Sequence, residues 1–433
     1  MIKTKTLLQI FIVIIFFISS VYGQSWQNYN SANSELQNDT INSVEIGEDG
    51  TIWFATNDGL ASLKDGVWNS FNTENGLNSK LSFISFLPNN SQNLWVATNF
   101  GAVILTANSN SDLTDPQFIT KASDQIVSDA VTSFNLDGLL SKWIGTDKGL
   151  SVITNSGVYN FTAANGFENG NVSALSVLPD NWVHIATRGG GVSRLKYNGV
   201  DGITSASKIE NSWSALPSDS VLTIYVTDDT LNWYGTTKGA ATFFGENSKS
   251  NNWWVYNTFS SGIIDNYVKT IIRDNIGNMW FGTKKGLSKL SADGNSWQSF
   301  TEQDGLISNN IFDIDVDINN NLWIATDKGI SFLSNIQTSV EEQNNNDYNL
   351  YLTNYPNPFN PNTNIEYVIS KTSKVKLEVY NNIGKLVEVL VDKKLNSGNY
   401  NVRFDSKNLP SGVYFYRLIT EQTAITKKMI LLK

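Results

Sequence analysis

The sequence predicts an all-β protein, a seven-bladed β-propeller followed by a small Ig-like β-sandwich. Three observations indicate this fold class: a tryptophan-containing motif that recurs every 41 to 49 residues, short runs of alternating apolar and polar residues, and a reversal of net charge near residue 348. A repeat of this length, with several short strands in each unit, is typical of a propeller. Alternation bounded by Asp-Gly, Asn-Gly and Asn-Asn pairs indicates antiparallel hairpins.

The first 23 residues predict a secretory signal peptide. Lys3 and Lys5 give a positive start, residues 7–18 are apolar apart from Gln9, and small residues lead to Gly23. This order of charge, apolar run and small residues is typical of a cleaved export signal. A membrane anchor is the alternative, but the apolar run is shorter than the about 20 residues that span a bilayer. We expect cleavage near Gly23 and export of the remaining chain.

The repeated motif is Trp-x-[Ala/Gly]-Thr-x-x-Gly, and we assign it to the second strand, B, of each four-stranded unit. A seventh copy has His184 in the tryptophan position, with Thr187 and the pair Gly190-Gly191. Glycine after strand B suits a tight turn that needs a positive φ. The six tryptophan copies are Trp53, Thr56 and Gly59; Trp95, Thr98 and Gly101; Trp143, Thr146 and Gly149; Trp233, Thr236 and Gly239; Trp280, Thr283 and Gly286; and Trp323, Thr326 and Gly329.

The fourth strand, D, is predicted from an aromatic or apolar start. The last unit stops after its third strand, and an unassigned strand at 26–29 precedes the first unit, so we expect Trp26 to complete the blade of Trp323. Closing the ring in this way removes exposed sheet edges. Trp182 and Trp253 are outside both strand patterns. The predicted D strands are at Trp26, Trp68, 117–120, 158–161, Trp213, Trp254 and Trp297.

These units resemble the two-component-regulator propeller repeat, a family of secreted bacterial proteins and sensor ectodomains. The motif copies carry the resemblance, together with the loops at 75–77, 165–167 and 304–306. It covers residues 24–335 and implies a propeller fold. Because propellers host many activities, the resemblance says little about function.

A polar linker is predicted at 336–349, followed by a domain of short strands at 350–433. We expect strands at 363–368, 375–380, 398–404, 412–418 and 426–432. The segment resembles the type A C-terminal sorting domain of the type IX secretion system of Bacteroidetes-like bacteria. The resemblance implies export by that machinery, then surface attachment or release, as against an ordinary Ig-like module. The residues matching its motif are Pro356, Asn357, Pro358, Gly412, Tyr414, Lys428 and Leu431.

Composition excludes several kinds of chemistry. There is no Cys and a single His, so Cys-ligated zinc, disulfides and HExxH zinc sites are excluded. Residues 24–347 hold 17 basic and 34 acidic residues, a net charge of −17, whereas 348–433 hold 12 and 6. This negative charge argues against nucleic-acid binding. Asp313, Asp315 and Asp317 resemble part of a calcium loop but lack its Gly and Glu, so we expect no cofactor, with calcium left open.

Ligand contacts are expected on the face that carries the B–C turns and D–A loops, which surrounds the central channel. Positive side chains on an acidic protein can receive an anionic ligand, and Arg188, in a glycine-rich turn, is the first choice. Ordinary solvation of exposed turns is the alternative. His184 is assigned to blade packing in preference to catalysis. The candidate ligand-binding residues are Arg188, Asp58, Asp147, Lys148, Lys238, Lys284, Lys285, Lys328, Glu74 and Asp304.

The sequence therefore favours a secreted or outer-membrane-surface propeller that binds a glycan, peptide or protein. Its expected partners are the type IX machinery and an unidentified extracellular ligand, with membrane contact only through surface attachment. Two alternatives stay open: an extracellular carbohydrate-active lyase or hydrolase, and a sensor-like ectodomain. The sensor is disfavoured because neither a kinase nor a transmembrane segment follows the propeller in this sequence.

Overall fold

The computed structural model of this chain describes its residues from 24 to 432 with gaps. The predicted signal peptide, the predicted linker and the candidate ligand residue Glu74 lie outside what it describes. The described ranges are 24–71, 77, 80–87, 93–107, 113–137, 139–165, 170–178, 182–197, 203–212, 214–226, 231–244, 253–334, 352–369, 372–381, 385–406, 409–420 and 424–432.

Almost all regular structure in these ranges is β-strand, which confirms the predicted all-β class. One short α-helix, α1 (Lys121–Asp124), and two 3₁₀ turns, Ala163–Asn165 and Glu302–Asp304, lie in loops. The strands of the first region are β1 Ser25–Tyr29, β2 Ile41–Ile46, β3 Ile52–Thr56, β4 Gly59–Lys64, β5 Val67–Phe71, β6 Leu81–Phe86, β7 Asn93–Thr98, β8 Gly101–Ala107, β9 Leu113–Ile119, β10 Val131–Leu136, β11 Lys142–Thr146, β12 Gly149–Thr154, β13 Gly157–Phe161, β14 Val172–Val177, β15 Trp182–Thr187, β16 Val192–Tyr197, β17 Ile203–Ile209, β18 Val221–Val226, β19 Leu231–Thr236, β20 Gly239–Phe244, β21 Trp253–Tyr256, β22 Val268–Arg273, β23 Met279–Thr283, β24 Leu287–Leu290, β25 Trp297–Phe300, β26 Ile311–Val316, β27 Leu322–Thr326 and β28 Gly329–Ser334.

These strands form seven four-stranded antiparallel sheets within the described part of residues 25–334. The first strand, A, of each sheet contacts the A strands of both neighbouring sheets, and β2 also contacts β26. The A strands therefore surround the axis of a closed ring. From the axis outward, blades 1 to 7 are β2-β3-β4-β5, β6-β7-β8-β9, β10-β11-β12-β13, β14-β15-β16-β17, β18-β19-β20-β21, β22-β23-β24-β25 and β26-β27-β28-β1.

The two ends of the propeller region meet in blade 7. Strand β1 pairs antiparallel with β28, with Trp26 opposite Leu333 and Tyr29 opposite Ile330. The side chain of Asn28 accepts a hydrogen bond from the Ser331 hydroxyl across 2.7 Å. Blade 7 therefore has its full set of four strands only when both ends of the region are present.

The core lies between neighbouring blades, where the strand B tryptophans are buried. Trp53 of blade 1 packs with Leu81 and Ile84 of blade 2, and Trp323 of blade 7 packs with Ile41 of blade 1. Burying a large apolar side chain stabilises a fold by about 1.5–3 kcal/mol. The repeated tryptophan therefore holds one blade against the next.

One predicted strand is misplaced. The outer strand of blade 4 is β17 (Ile203–Ile209), which pairs with β16, and not a strand at Trp213. Trp213 itself lies outside the described residues. The prediction failed because β17, with the sequence ITSASKI, has none of the aromatic residues that mark most of the other D strands.

Residues 352–432 form two further sheets, β29-β30-β33 and β32-β31-β34-β35. Side chains of both sheets share one core, which contains Phe359, Leu377, Phe404 and Tyr416. The sequence predicted five of these seven strands and missed β29 and β32. The strands are β29 Leu352–Tyr355, β30 Asn362–Ile369, β31 Ser373–Asn381, β32 Leu386–Leu395, β33 Gly398–Asp405, β34 Gly412–Ile419 and β35 Ala424–Leu431.

Within the described ranges, the structure contains no helix with the length and apolar character needed to cross a bilayer.

Candidate functional site

The B–C turns of all seven blades are built around the motif threonine. In blade 1, the Thr56 hydroxyl donates to the carbonyl of Gly59 across 2.8 Å and accepts the N–H of Asp58 across 2.9 Å. The same hydroxyl-to-carbonyl bond recurs from Thr98, Thr146, Thr236, Thr283 and Thr326 to the glycine three residues later. Each threonine thus satisfies backbone groups that a tight turn would otherwise leave unpaired.

Both the backbone dihedral angle and the closeness of the outer strand require glycine at the last motif position. Gly329 has φ +128°, a region that favours glycine, and a Cβ atom there would lie 2.2 Å from the carbonyl oxygen of Tyr29. Gly101, Gly149, Gly239 and Gly286 approach their own D strands in the same way. The turns are therefore pressed against the outer strand.

The turn of blade 4 is one residue longer than the others. Thr187 donates to the carbonyl of Gly191, and a Cβ atom on Gly191 would lie 2.2 Å from the carbonyl oxygen of Ile209. Gly191, and not Gly190, is therefore the structural equivalent of the motif glycine. Arg188 occupies the first turn position, where its N–H donates to the carbonyl of Asn171 across 3.0 Å.

Apart from Glu74 and Asp304, the predicted ligand residues occupy one of two positions in the B–C turns. Arg188, Asp147 and Lys284 occupy the first position, whose N–H in blades 1, 3, 4 and 5 bonds to the loop just before strand A. Two of the second-position lysines meet loop carboxylates, Lys328 with Glu302 at 3.2 Å and Lys285 with Asp265 at 3.8 Å. The second position holds Asp58, Lys148, Lys238, Lys285 and Lys328, all exposed.

Several acidic and amide side chains on this face hold its loops in shape. The carboxylate of Asp304 accepts the N–H and hydroxyl of Thr301 across 2.8 and 2.9 Å. A second contact, between the start and end of a D–A loop, recurs where Asp39, Asp129, Asp219, Asn266 and Asn309 accept a backbone N–H. Asp304 therefore caps a turn, and its role as a ligand contact remains a prediction.

A series of hydrogen bonds between neighbouring blades lines one side of the channel mouth. The second residue of strand A donates to the carbonyl of the first strand A residue in the next blade. The four bonds are Asn42 to Leu81, Ser82 to Val131, Thr132 to Val172 and Ser173 to Val221, at 2.8, 2.9, 2.8 and 2.6 Å. In blades 5, 6 and 7 the same position holds Leu222, Lys269 and Phe312. The side chains at this part of the mouth are therefore apolar or cationic.

Lys269 is the centre of a group of cations and aromatic rings at the mouth. Its ammonium donates to Oδ1 of Asn310 across 2.7 Å and lies 3.7 Å from the ring centre of Phe312. Lys284 lies in the same way 3.6 Å from the ring centre of Tyr267. The pKa of Lys269 is lowered to about 8, chiefly by burial and also by Lys284 and Arg188, while Asp327 acts in the opposite direction. We name these residues the mouth cluster: Arg188, Tyr267, Lys269, Lys284, Asn310, Phe312 and Asp327.

The sequence predicted Arg188 and Lys284 but missed Lys269. In the sequence Lys269 is an ordinary polar residue on an alternating strand. Its placement depends on the irregular pairing at the start of strand A, where the register shifts between Val268 and Thr270. A lysine at the position where other units have Asn, Ser or Thr is the signal that could have found it.

Three partly buried carboxylates lie deeper along the A strands. Asp313 accepts the Ser43 hydroxyl across 2.7 Å, Asp315 accepts the N–H of Ile46 across 2.8 Å, and Glu45 accepts the N–H of Phe86 across 3.0 Å. Burial raises the pKa of Asp315 to about 7 and raises the pKa of Glu45 as well, and repulsion from neighbouring aspartates adds to both increases. Their hydrogen bonds join blade 7 to blade 1 and blade 1 to blade 2.

The three aspartates of the possible calcium loop make different contacts in the structure. Asp317 lies in the turn after β26, where its carboxylate accepts the N–H groups of Asn319 and Asn321, whereas Asp313 and Asp315 bond to blade 1. In the described ranges, no three His, Asp or Glu side chains are grouped so as to hold a metal ion.

His184 lies in the blade interior, 1% exposed. Nε of Arg194 donates to its Nε2 across 3.1 Å, and Nδ1 is 3.2 Å from the Tyr234 hydroxyl. Burial, with a smaller contribution from Arg194, lowers the pKa of His184 to about 3. A buried, neutral imidazole packed between two blades has no access to a substrate at the face.

In the carboxyl-terminal domain, the residues of the proline-rich motif meet the last strand. The side chain of Asn357 accepts the N–H of Ile430 across 2.8 Å, and the N–H of Phe359 donates to the Ile430 carbonyl across 2.8 Å. Tyr414 donates its hydroxyl to Pro410 and Leu431 is fully buried. Pro356 and Pro358 flank Asn357, Gly412 begins β34, and Lys428 lies in β35 with its side chain outside the description.

Two protein-family models match segments of the chain, one in the carboxyl-terminal domain and one in blades 6 and 7. Residues 353–432 match the family described as the secretion system C-terminal sorting domain. Residues 262–285 and 305–328, which include the A and B strands of blades 6 and 7, match the two component regulator propeller. No curated protein is similar enough in sequence to count as a relative.

Solved structures with similar folds include two from bacterial proteins. The extracellular domain of the hybrid two component system BT3049 of B. thetaiotaomicron matches with TM-score 0.60 and 16% identity, over 94% of this chain and 57% of that one. PorZ, a surface component of the type-IX secretion system of Porphyromonas gingivalis, matches with TM-score 0.56 and 15% identity, over 92% and 60%. This chain thus spans a little over half the length of each.

An enzyme shares the propeller fold as well. Virginiamycin B lyase of Staphylococcus aureus matches with TM-score 0.54 and 12% identity, over 72% of this chain and all of that one. At such identities the likeness shows the fold alone. The sorting domain indicates a protein exported by the type IX system, either secreted or held on the outer-membrane surface.

Proposed function

We propose that this propeller protein with its type IX sorting domain is an extracellular binding protein. Its ligand, a glycan, peptide or protein, contacts the face formed by the B–C turns and D–A loops. The sorting domain takes part in export, and the propeller takes part in recognition once the chain is outside the cell.

The observation that carries the proposal is the mouth cluster. Lys269 is half-buried beside Phe312, and side chains from blades 4, 6 and 7 act on it. Binding sites combine apolar walls with a few placed polar groups, and groups from separate blades converge only near the axis. Elsewhere on the face, many polar side chains are engaged in holding loops and turns.

The enzymatic alternative lacks support of this kind. The partly buried carboxylates Glu45, Asp313 and Asp315 accept backbone N–H groups of adjacent blades or of their own strand. His184 is enclosed between blades 4 and 5. A general acid or base must reach the proton that it transfers, which the enclosed His184 cannot do, and the three carboxylates are engaged as hydrogen-bond acceptors within and between blades.

A panel experiment tests the proposal. The purified protein is incubated with immobilised neutral and acidic polysaccharides and with surface proteins, and both retention and new products are measured. We expect retention without products. The double variant Arg188→Ala/Lys284→Ala is expected to lose retention, whereas Lys121→Ala, a change to an exposed lysine of α1 on the same face, is expected to keep it.

Two results would contradict the proposal in different ways. Products formed by the wild type and lost in a site variant would establish the enzymatic alternative. Retention that is unchanged in the double variant would place the binding surface elsewhere on the molecule.

A further inference from the structure

The channel mouth has two unlike halves. In blades 1 to 4 the second residue of strand A is Asn42, Ser82, Thr132 or Ser173, and each spends its hydrogen-bond donor on the next blade. In blades 5 to 7 the described residues at this position do not continue the series of hydrogen bonds. Leu222 and Phe312 have no donor to give, and the ammonium of Lys269 bonds to a side chain instead. On one side of the mouth the polar side chains are therefore hydrogen-bonded to the next blade. On the other side the corresponding side chains are apolar or cationic.

Lys269 retains binding capacity in this arrangement. An ammonium group has three donors, and within the described part of the chain it makes one hydrogen bond, to the neutral Asn310. No ion pair of Lys269 is formed among the described residues. The charged groups that act on it are Lys284 of its own blade, Arg188 of blade 4 and Asp327 of blade 7. Of the charged groups that act on Lys269, two are cations and one is a carboxylate.

We propose that the mouth cluster binds a carboxylate group of an acidic polysaccharide, with Lys269 as its direct partner. This inference rests on the proposed binding function and names the class of ligand. The aromatic rings of Tyr267 and Phe312, each half-buried, provide apolar surface beside the charge, as a sugar ring carrying a carboxylate requires.

The overall charge narrows the ligand further. The propeller region with its linker carries a net charge of −17, which repels polyanions of high charge density such as nucleic acids. A uronic acid polymer places one carboxylate on each sugar ring, so a single local cation site can take one charge at a time. Binding is therefore compatible with an acidic protein.

Anion binding at this site is coupled to a proton. The pKa of Lys269 is about 8 in the free protein, and a bound carboxylate favours the charged ammonium. Binding therefore takes up protons near pH 8, and affinity falls as the pH rises above 8. If only charged Lys269 binds, affinity at pH 9 is roughly tenfold lower than at pH 7.

The test uses the whole purified protein and two uronate polymers, polygalacturonate and alginate, in isothermal titration calorimetry at pH 7 and pH 9. Fully methyl-esterified polygalacturonate, which lacks the charge, and dextran sulfate are the comparison ligands. The variants are Lys269→Met, which removes the charge, Lys269→Arg, which keeps it at both pH values, and Lys121→Met, a lysine of the same face outside the cluster.

We expect at least one uronate polymer to bind, with roughly tenfold weaker binding at pH 9, and the esterified polymer not to bind. Lys269→Met should lose at least tenfold in affinity, and Lys121→Met should match the wild type. Lys269→Arg should bind and lose the decrease between pH 7 and pH 9. That change in pH profile would not follow from a purely structural role.

Other outcomes overturn the inference. Binding to dextran sulfate alone, or to neither uronate, would exclude the carboxylate assignment. Binding of a neutral polysaccharide or a protein that Lys269→Met leaves unchanged would also overturn it, while the proposed binding function would stand. If no ligand in the panel binds, both the inference and the proposed binding function are overturned.

Discussion

Nε of Arg194 donates a hydrogen bond to Nε2 of His184 across 3.1 Å, at directly opposed positions of strands β15 and β16. Because arginine can only donate, Nε2 is the unprotonated nitrogen and Nδ1 carries the hydrogen toward Tyr234. The corresponding pair in blade 5 is Trp233 opposite Thr242. Blade 4 therefore replaces a tryptophan with a polar group of three side chains, all buried.

We expect His184→Phe to destabilise the protein by about 3 kcal/mol, because it leaves the buried Nε–H of Arg194 without its acceptor and the buried Tyr234 hydroxyl oxygen without its donor. The double variant His184→Trp/Arg194→Thr introduces the pair found in blade 5 and should recover more than half of the loss. Urea unfolding followed by circular dichroism measures both. Equal stability of His184→Phe and the wild type would contradict the account.

Gly329→Ala should destabilise the protein far more than Gly294→Ala. Both glycines have positive φ, +128° and +72°, but a Cβ atom at Gly329 meets the Tyr29 carbonyl whereas one at Gly294 meets nothing within 4 Å. Positive φ alone costs about 1–2 kcal/mol, so we expect that loss for Gly294→Ala and at least about 3 kcal/mol for Gly329→Ala. Thermal unfolding gives the comparison. Similar melting temperatures for the two variants would show that the turn does not press on β1.

Asp315 should make stability depend on pH. Its pKa is raised to about 7 by burial, above its value of about 3.9 in an unfolded chain. Protonation therefore favours the folded state, and this contribution is present at pH 4 and lost as the pH rises through 7.

The variant Asp315→Asn isolates that contribution, because asparagine does not titrate. Since one pKa unit corresponds to about 1.4 kcal/mol, the stability of the variant relative to the wild type should rise by about 2–4 kcal/mol between pH 4 and pH 8. Melting temperatures across this range measure the difference. A difference that is constant with pH would refute the assignment.

Leu431 and Leu432 provide a matched test of the sorting domain. Leu431 is fully buried and Leu432 is 47% exposed, so an aspartate should disrupt the domain core at the first position and be accepted at the second. We expect Leu431→Asp to remain in the periplasm and Leu432→Asp to reach the cell surface. Surface labelling of intact cells distinguishes them. Display of both variants at the wild-type level would argue against a need for the folded domain in export.

Sequence reasoning succeeded where a feature depends on local chemistry. Thr56 and Gly59 mark a turn that needs a hydroxyl and a residue without Cβ, and that need recurs in every blade. It failed where the signal is spread over the fold. Strand β32 has mostly exposed residues, and β17 lacks aromatics. The importance of Lys269 appears only when blades 4, 6 and 7 are brought to one axis, which no spacing in the sequence expresses.

The pairing of β1 with β28 sets a condition on when this protein can be complete. Strand β1 has its partner about 300 residues later in the chain, so it cannot pair with β28 until that strand has been synthesised. A chain that stops before Gly329 leaves blade 7 with an open edge, which can pair with other chains or be cut by proteases. The free energy of closing the ring is gained only by a chain that includes β28. Chains truncated before this strand are therefore less stable than intact ones.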